Sequence, residues 1–243
     1  MVMAEMAEYT AEHGLRHHIH CAETREEVEG CKARHGCTPV AFLKRLGYLE
    51  LPLLLAHGIW LEEEDFALLR EAAELTVATC PVSNLKLASG VCPISRLKAE
   101  GIRCALGTDG AASNNNLDLW EEIKLFALLH KERSGDPTLI TPQEAFYAAT
   151  RAGALAQGRT DCGLLKEGMR ADLLLLDISG PQWCPVSDLM SHLVYAASGS
   201  DVIMTVCDGE ILYKEGEFTR IDIERVKAEA EKAYRGILRE LEQ

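Results

Sequence analysis

Three apolar runs in this sequence end in side chains that bind metals or move protons. Residues 15–21 run into HHIHCAET, which sets His18 and His20 two residues apart and Glu23 shortly after them. PLLLAH (52–57) ends in His57, followed by Gly58, and the run 102–108 ends in GTDG, with Asp109 just before Gly110. If the runs are strands of a parallel α/β fold, their C-terminal ends are where an active site collects. Strand alternation then puts His18 and His20 on one face. Two imidazoles and two carboxylates in such places suit a divalent metal with a hydrolytic water, because nitrogen and oxygen ligands bind zinc. Taken singly, each histidine reads as a packed, hydrogen-bonded residue, and it is the combination that points to a site. His17 and His18 are read as neighbours in the strand. Ser83, Asn84, Lys86 and residues 113–116 are read as turn and capping residues rather than substrate contacts. Cys21 and Cys80 have no base to activate them as nucleophiles.

The elements that must position these groups follow from periodicity and punctuation. From residue 1 to about 152, short apolar runs alternate with amphipathic stretches, the pattern of consecutive βα units, of which we count four. The first helix spans 1–12. The strands are 15–21, 52–57, 75–80 and 102–108. Thr24 with Glu27 has capping-box spacing and opens a helix that Gly36 ends; Thr38-Pro39 opens another that stops at Gly47. A helix over 62–73 follows, with its acidic start at the favourable end. A Pro/Ser/Asn/Gly-rich loop leads to a short helix from Pro93 to Gly101, then to a long helix over 117–130. Thr141-Pro142 with Glu144 caps one more, to about Ala152. Beyond Gly163, residues 171–177, 202–208 and 210–213 read as strands of a small β domain, with Asp208-Gly209 a hairpin signal. Residues 223–241 form a charged amphipathic helix. The expected domains are therefore 1–160, 161–222 and 223–243.

Composition narrows the function. The 243 residues are 47% hydrophobic, enough for a real core. A net charge of −13 argues against nucleic acid or anionic lipid as partners and in favour of a small-molecule substrate. Nine cysteines include no C-x-x-C pair, which favours a reduced, cytoplasmic setting. Neither a signal peptide nor a run of membrane-spanning length is expected. The H-x-E with P-C-x-x-C pattern of nucleic-acid deaminases is lacking, which argues against base editing.

In order and separation, HIHCAET, LAHG, CPVSNLKLASG, LGTDGAASNNNLDLWEE and the later GLLKEGMRADLLLLD resemble the second half of 5-methylthioadenosine/S-adenosylhomocysteine deaminases of the amidohydrolase superfamily. The resemblance covers nearly the whole chain. It implies the C-terminal half of a distorted (β/α)8 barrel plus part of a small β-sandwich-type domain, with one catalytic divalent metal, zinc or iron. By position, His20 matches the fifth-strand metal ligand and Asp109 the eighth-strand one. Glu23 matches the acid that contacts and protonates the purine, and His57 the sixth-strand histidine beside the attacking water. Asp109 also faces substrate in this scheme. The family's H-x-H pair on the first barrel strand has no counterpart here, since the only upstream histidine is His13. The expectation is a piece of a deaminase, or a split enzyme whose partner chain supplies the other half-barrel, or a self-associating, non-catalytic half-barrel. Guanine and halogenated triazines are the alternative substrates.

Overall fold

The structure is a computed structural model that describes residues 2–241. Its residues fall into two compact units, one running to Leu164 together with Pro181–Gly199, the other formed by Leu165–Gly180 and the chain from Ser200 onward. Among the described residues, no helix is long and apolar enough to cross a membrane.

The first unit begins with α1 (Val2–Glu12), β1 (His17–Cys21), α2 (Arg25–His35), α3 (Pro39–Arg45) and β2 (Pro52–His57). It continues with α4 (Glu63–Arg70), β3 (Glu74–Thr79), α5 (Pro81–Lys86), α6 (Ile94–Ala99) and β4 (Arg103–Leu106). Then come α7 (Ala111–Asn114), α8 (Leu119–Ser134), α9 (Pro142–Ala149) and α10 (Arg151–Ala156), with α11 (Leu189–Tyr195) from the later segment. The four strands pair in parallel in the order β1-β2-β3-β4. Register aligns Ile19, Leu55, Val77 and Cys104 on one face, and these pack into the main core beneath the helices. His20, Ala56, Ala78 and Ala105 align on the opposite face, where Leu54 and Ala152 of α10 join the two alanines of β3 and β4. Burying one large aliphatic chain such as Leu55 contributes roughly 1.5–3 kcal/mol, so the helix-covered face drives sheet formation. The small residues of the other face leave it concave.

Helix ends follow the local chemistry. Thr24, Thr38, Asp118 and Thr141 each accept a backbone N–H at a helix start, and Gly36 and Gly135 stop α2 and α8 in the left-handed conformation. Glu27 departs from the expected capping box, for its carboxylate accepts the N–H groups of Ala22 and Glu23 instead. The loop expected after β3 contains α5, since Pro81 pre-sets the first helical turn. The helix expected to run to Ala152 breaks at Thr150 into α9 and α10, and α11 has no counterpart among the expected elements.

The second unit holds β5 (Leu173–Leu176), β6 (Val202–Cys207), β7 (Glu210–Lys214), β8 (Glu217–Phe218) and α12 (Ile223–Leu241). The strands form one antiparallel sheet in sequence order. Asp208 and Gly209, both at positive φ, make the β6–β7 turn.

The junction of α3 and α4 rests on one buried pair. Thr38 Oγ1 accepts the N–H of Ala41 and donates to Asp65 Oδ1 at 2.5 Å, while Asp65 Oδ2 accepts the N–H of Glu62. Both side chains are fully buried, and burial pushes the Asp65 carboxyl up despite these bonds. Thr38→Val removes the cap and strands a carboxylate oxygen, so it should lower the unfolding free energy by about 2 kcal/mol. Urea unfolding reads this as an earlier midpoint at an unchanged slope; an unchanged midpoint would show that water satisfies Asp65.

Candidate active site

The concave face of the first sheet ends in a recess of about 220 Å³ at the C-terminal ends of the strands, lined among others by His18, His20, His57, Cys80 and Asp109. β1 brings His20 to it, exposed, with His18 one alternation earlier and its ring 6.1 Å away. Burial lowers the His18 pKa, and the neighbouring His20, His17 and His57 add to the shift. His57 is the last residue of β2 and Asp109 follows β4. Both leave their strands in the left-handed region, at φ 71° and 60°. A non-glycine residue there costs on the order of 1–3 kcal/mol and persists only where its surroundings hold it.

What holds these residues is a set of hydrogen bonds from the next segments of chain. Asn84, on α5 and 2% exposed, meets His57 Nδ1 with its Oδ1 at 2.8 Å. Its Nδ2 donates to Thr79 Oγ1 at 3.3 Å, which fixes the carboxamide orientation. The ring nitrogen facing a carbonyl oxygen carries a proton, so in the neutral imidazole Nε2 of His57 is the lone pair. Asp109 Oδ2 accepts from Ser83 Oγ at 2.6 Å and Ser113 Oγ at 2.8 Å, and its Oδ1 accepts the Gly110 N–H at 2.8 Å. Burial pushes the Asp109 carboxyl up, but these three bonds and nearby His57 outweigh it and hold the group below the usual carboxylate range. Ser83, Asn84 and Ser113, read from sequence as turn and capping residues, thus brace the two strand-end groups. The signal that could have found them is their place in the first turn after a strand exit. Lys86 bonds Ala112 O and Asn115 Oδ1 and does not line the recess.

His20, His57 and Asp109 each offer one donor atom, and the three atoms lie within 4.8 Å of one another. Neighbouring ligand atoms of a tetrahedral zinc site with bonds of about 2.0–2.1 Å are about 3.4 Å apart, so modest side-chain rotation closes the set. Two imidazole nitrogens and a carboxylate oxygen that is ionised at neutral pH fit a divalent ion. Glu23 stands beside them, with Oε2 3.7 Å from His57 Nε2 and Oε1 accepting from Ser89 Oγ at 3.4 Å. Glu27 fixes the backbone under Glu23 through the two N–H groups it accepts. Cys80 also lines the recess, but burial first, with Asp109 adding to it, pushes its thiol up to about 12, so it stays protonated.

The description "Amidohydrolase family" belongs to the family model that matches residues 1–212. This chain belongs to that family. A 5-methylthioadenosine/S-adenosylhomocysteine deaminase from Pelotomaculum thermopropionicum is 46% identical over 230 residues, 95% of this chain and 53% of its own length. One of the same name from Moorella thermoacetica is 47% identical over 231 residues, 95% and 54% of the two chains. The present chain therefore spans about half the length of these relatives. Among solved structures, an adenosine deaminase from Xanthomonas campestris with bound zinc is 34% identical and superposes with a TM-score of 0.92, over 98% of this chain and 54% of its own.

In this amidohydrolase the two serines are expected to set the acidity of Asp109. Without them, as in Ser83→Ala with Ser113→Ala, the Asp109 carboxyl should titrate at higher pH in the metal-free chain, observed by carboxyl-carbon NMR. An ionised Asp109 contributes stability that is present above its unfolded pKa and lost as pH falls through its lower folded pKa, so the double variant should lose less stability in acid, with the loss complete at a higher pH. An unmoved titration would assign the lowered pKa to the Gly110 N–H and His57.

Proposed function

We propose that the chain supplies the catalytic side of a hydrolytic deaminase acting on an adenosine-type nucleoside, of the 5-methylthioadenosine or S-adenosylhomocysteine kind. The observation that carries this reading is the convergence of His20, His57 and Asp109 beside Glu23 in an amidohydrolase chain. The names of its relatives support the choice of substrate. We further infer that β1–β4 is one half of a (β/α)8 barrel, whose remaining strands and metal ligands come from the portion of the relatives that this chain does not span. That portion would lie on the same polypeptide or on a partner.

In this scheme His20 and Asp109 would hold the ion, zinc before iron. Such an ion would lower the pKa of a water towards ~7 and so make a nucleophile available at neutral pH. The water oxygen bonds to the ring carbon bearing the amine, the carbon–nitrogen bond breaks, and ammonia leaves. Asp109 takes the proton of the attacking water and returns it to the departing amine. Three donors hold its carboxylate ionised, the form that can ligate the ion and accept a proton. Glu23 gives a proton to the ring nitrogen beside the attacked carbon, the serine hydroxyl on Oε1 directs Oε2 to that task, and the proton left on the new carbon–oxygen bond restores Glu23 as the ring carbonyl forms. His57 presents its Nε2 lone pair to the attacking water and orients it.

The test is coexpression with the half of the Moorella relative that this chain does not match, followed by ammonia release from 5-methylthioadenosine. The assembled protein should deaminate the nucleoside. Glu23→Gln should lower kcat on the order of 10²- to 10⁴-fold, the range for loss of a general acid, with zinc content unchanged. Full activity in Glu23→Gln would remove Glu23 from the mechanism, and an assembled, zinc-loaded protein inert to adenosine nucleosides would overturn the reading.

A further inference from the structure

We propose that Glu122 is a positioning residue whose single carboxylate sets both His57 and Asp109 by tying together the two segments that brace them. The inference concerns the arrangement of the site and rests on the proposed reading only where metal binding is measured.

Glu122 sits on α8 with no exposed surface. Its Oε2 accepts the backbone N–H of Val82 at 3.0 Å, and its Oε1 accepts Asn114 Nδ2 at 2.6 Å. Val82 lies in the first turn of α5, next to Ser83, which donates to Asp109, and two residues before Asn84, which meets His57. Asn114 ends α7, next to Ser113, which donates to the same Asp109 oxygen as Ser83 does. The bonds close a ring: Glu122 to α5, α5 to Asp109, Asp109 to α7, and α7 back to Glu122. Asn114 is fixed in turn, since its Oδ1 accepts the Leu117 N–H at 2.8 Å.

Only a carboxylate fits this place unaided. Two donors converge on it, and an ionised carboxylate is acceptor on both oxygens, whereas a carboxamide turns a donor towards one of them. Both partners are neutral, so the buried charge is held by hydrogen bonds alone, and burial pushes the Glu122 carboxyl up to about 7. A helix packing against a sheet has no need of a charge at such a position, and an aliphatic residue would be buried there without the desolvation penalty. The acid makes sense as the anchor of a polar ring that reaches the recess.

The experiment uses the whole metal-free chain with 15N-labelled histidines, at a pH where the His57 imidazole is neutral. In the wild type, the nitrogen shifts should report one tautomer, with the proton on Nδ1. Glu122→Gln should open the Val82 or the Asn114 bond, loosen α5 against His57, and give a mixture of the two tautomers. A residue that merely stabilises the fold would lower the melting temperature and leave the tautomer alone. The swap N114D/E122Q moves the carboxylate across the pair and keeps all three bonds, with the carboxamide now on α8 donating to the carboxylate now on α7 and accepting from the Val82 N–H. It should restore the single tautomer. Cobalt(II) titration of the same chains should show affinity weakened on the order of 10- to 100-fold in Glu122→Gln, the usual cost of losing a group that orients metal ligands, and recovered in the swap.

Wild-type shifts in Glu122→Gln would overturn the proposal, as would a double variant that is unfolded or keeps mixed tautomers. If Glu122→Gln itself does not fold, the double variant decides alone. A wild-type chain that takes up no cobalt would count against the metal-site reading, while the nitrogen shifts would still settle the role of Glu122.

Discussion

The hydrogen bond between His57 Nδ1 and the Asn84 carboxamide oxygen, 2.8 Å long and buried, decides what the recess can do. In the neutral ring it places the proton on the far side and leaves the lone pair on the side of Glu23, His20 and Asp109. Without it the imidazole would be free to turn a proton towards the position where a cation or an attacking water must sit. The bond exists because Pro81 starts a helix at the end of β3, and that helix delivers Ser83 to Asp109 and Asn84 to His57 in consecutive positions. One short element therefore orients the groups at the ends of two different strands.

A similar division of roles appears in the sheet. Alternation sends Ile19, Leu55 and Val77 to the helices, and leaves His18, His20, Leu54 and alanines on the concave side. The recess is roomy because Ala56, Ala78 and Ala105 are small, and its polar groups are His18 and His20 of β1, His57 at the end of β2 and Asp109 just beyond β4. His57 and Asp109 both take up a left-handed backbone at the exit, where glycine would be easier. The strain is tolerated because each side chain is tied down by buried or partly buried donors and acceptors, as is common at functional sites.

Much of this is legible in the sequence. The strand 52–57 lies where its apolar run and flanking Pro52 and Gly58 place it, and the helix 223–241 follows its periodicity. Hydrophobic periodicity distinguishes strand from helix geometry, so strands and long helices are read well, even in 223–241 where no residue is buried. Residues 81–92 read as loop because Pro, Ser, Asn and Gly are frequent in them, although proline at a first helical turn also starts a helix. The partners of the site residues are hidden for a different reason. Ser83, Asn84, Ser113 and Glu122 carry ordinary turn and helix chemistry in sequence, and their bonds to residues 26, 27, 4 and 40 positions away depend on how the segments fold together. Glu27 shows the ambiguity in miniature, for a spacing that signals a capping box serves instead to hold the backbone of Ala22 and Glu23.

In the proposed reading the recess gathers imidazole nitrogen and carboxylate oxygen around one divalent ion, in a chain that also carries nine cysteines. X-ray absorption at the zinc edge on the zinc-loaded chain tests it most directly. The account expects only nitrogen and oxygen neighbours at about 2.0–2.1 Å, with imidazole scattering that diminishes in His20→Ala. A sulfur neighbour at about 2.3 Å, or imidazole scattering indifferent to His20→Ala, would place the ion elsewhere and contradict the account.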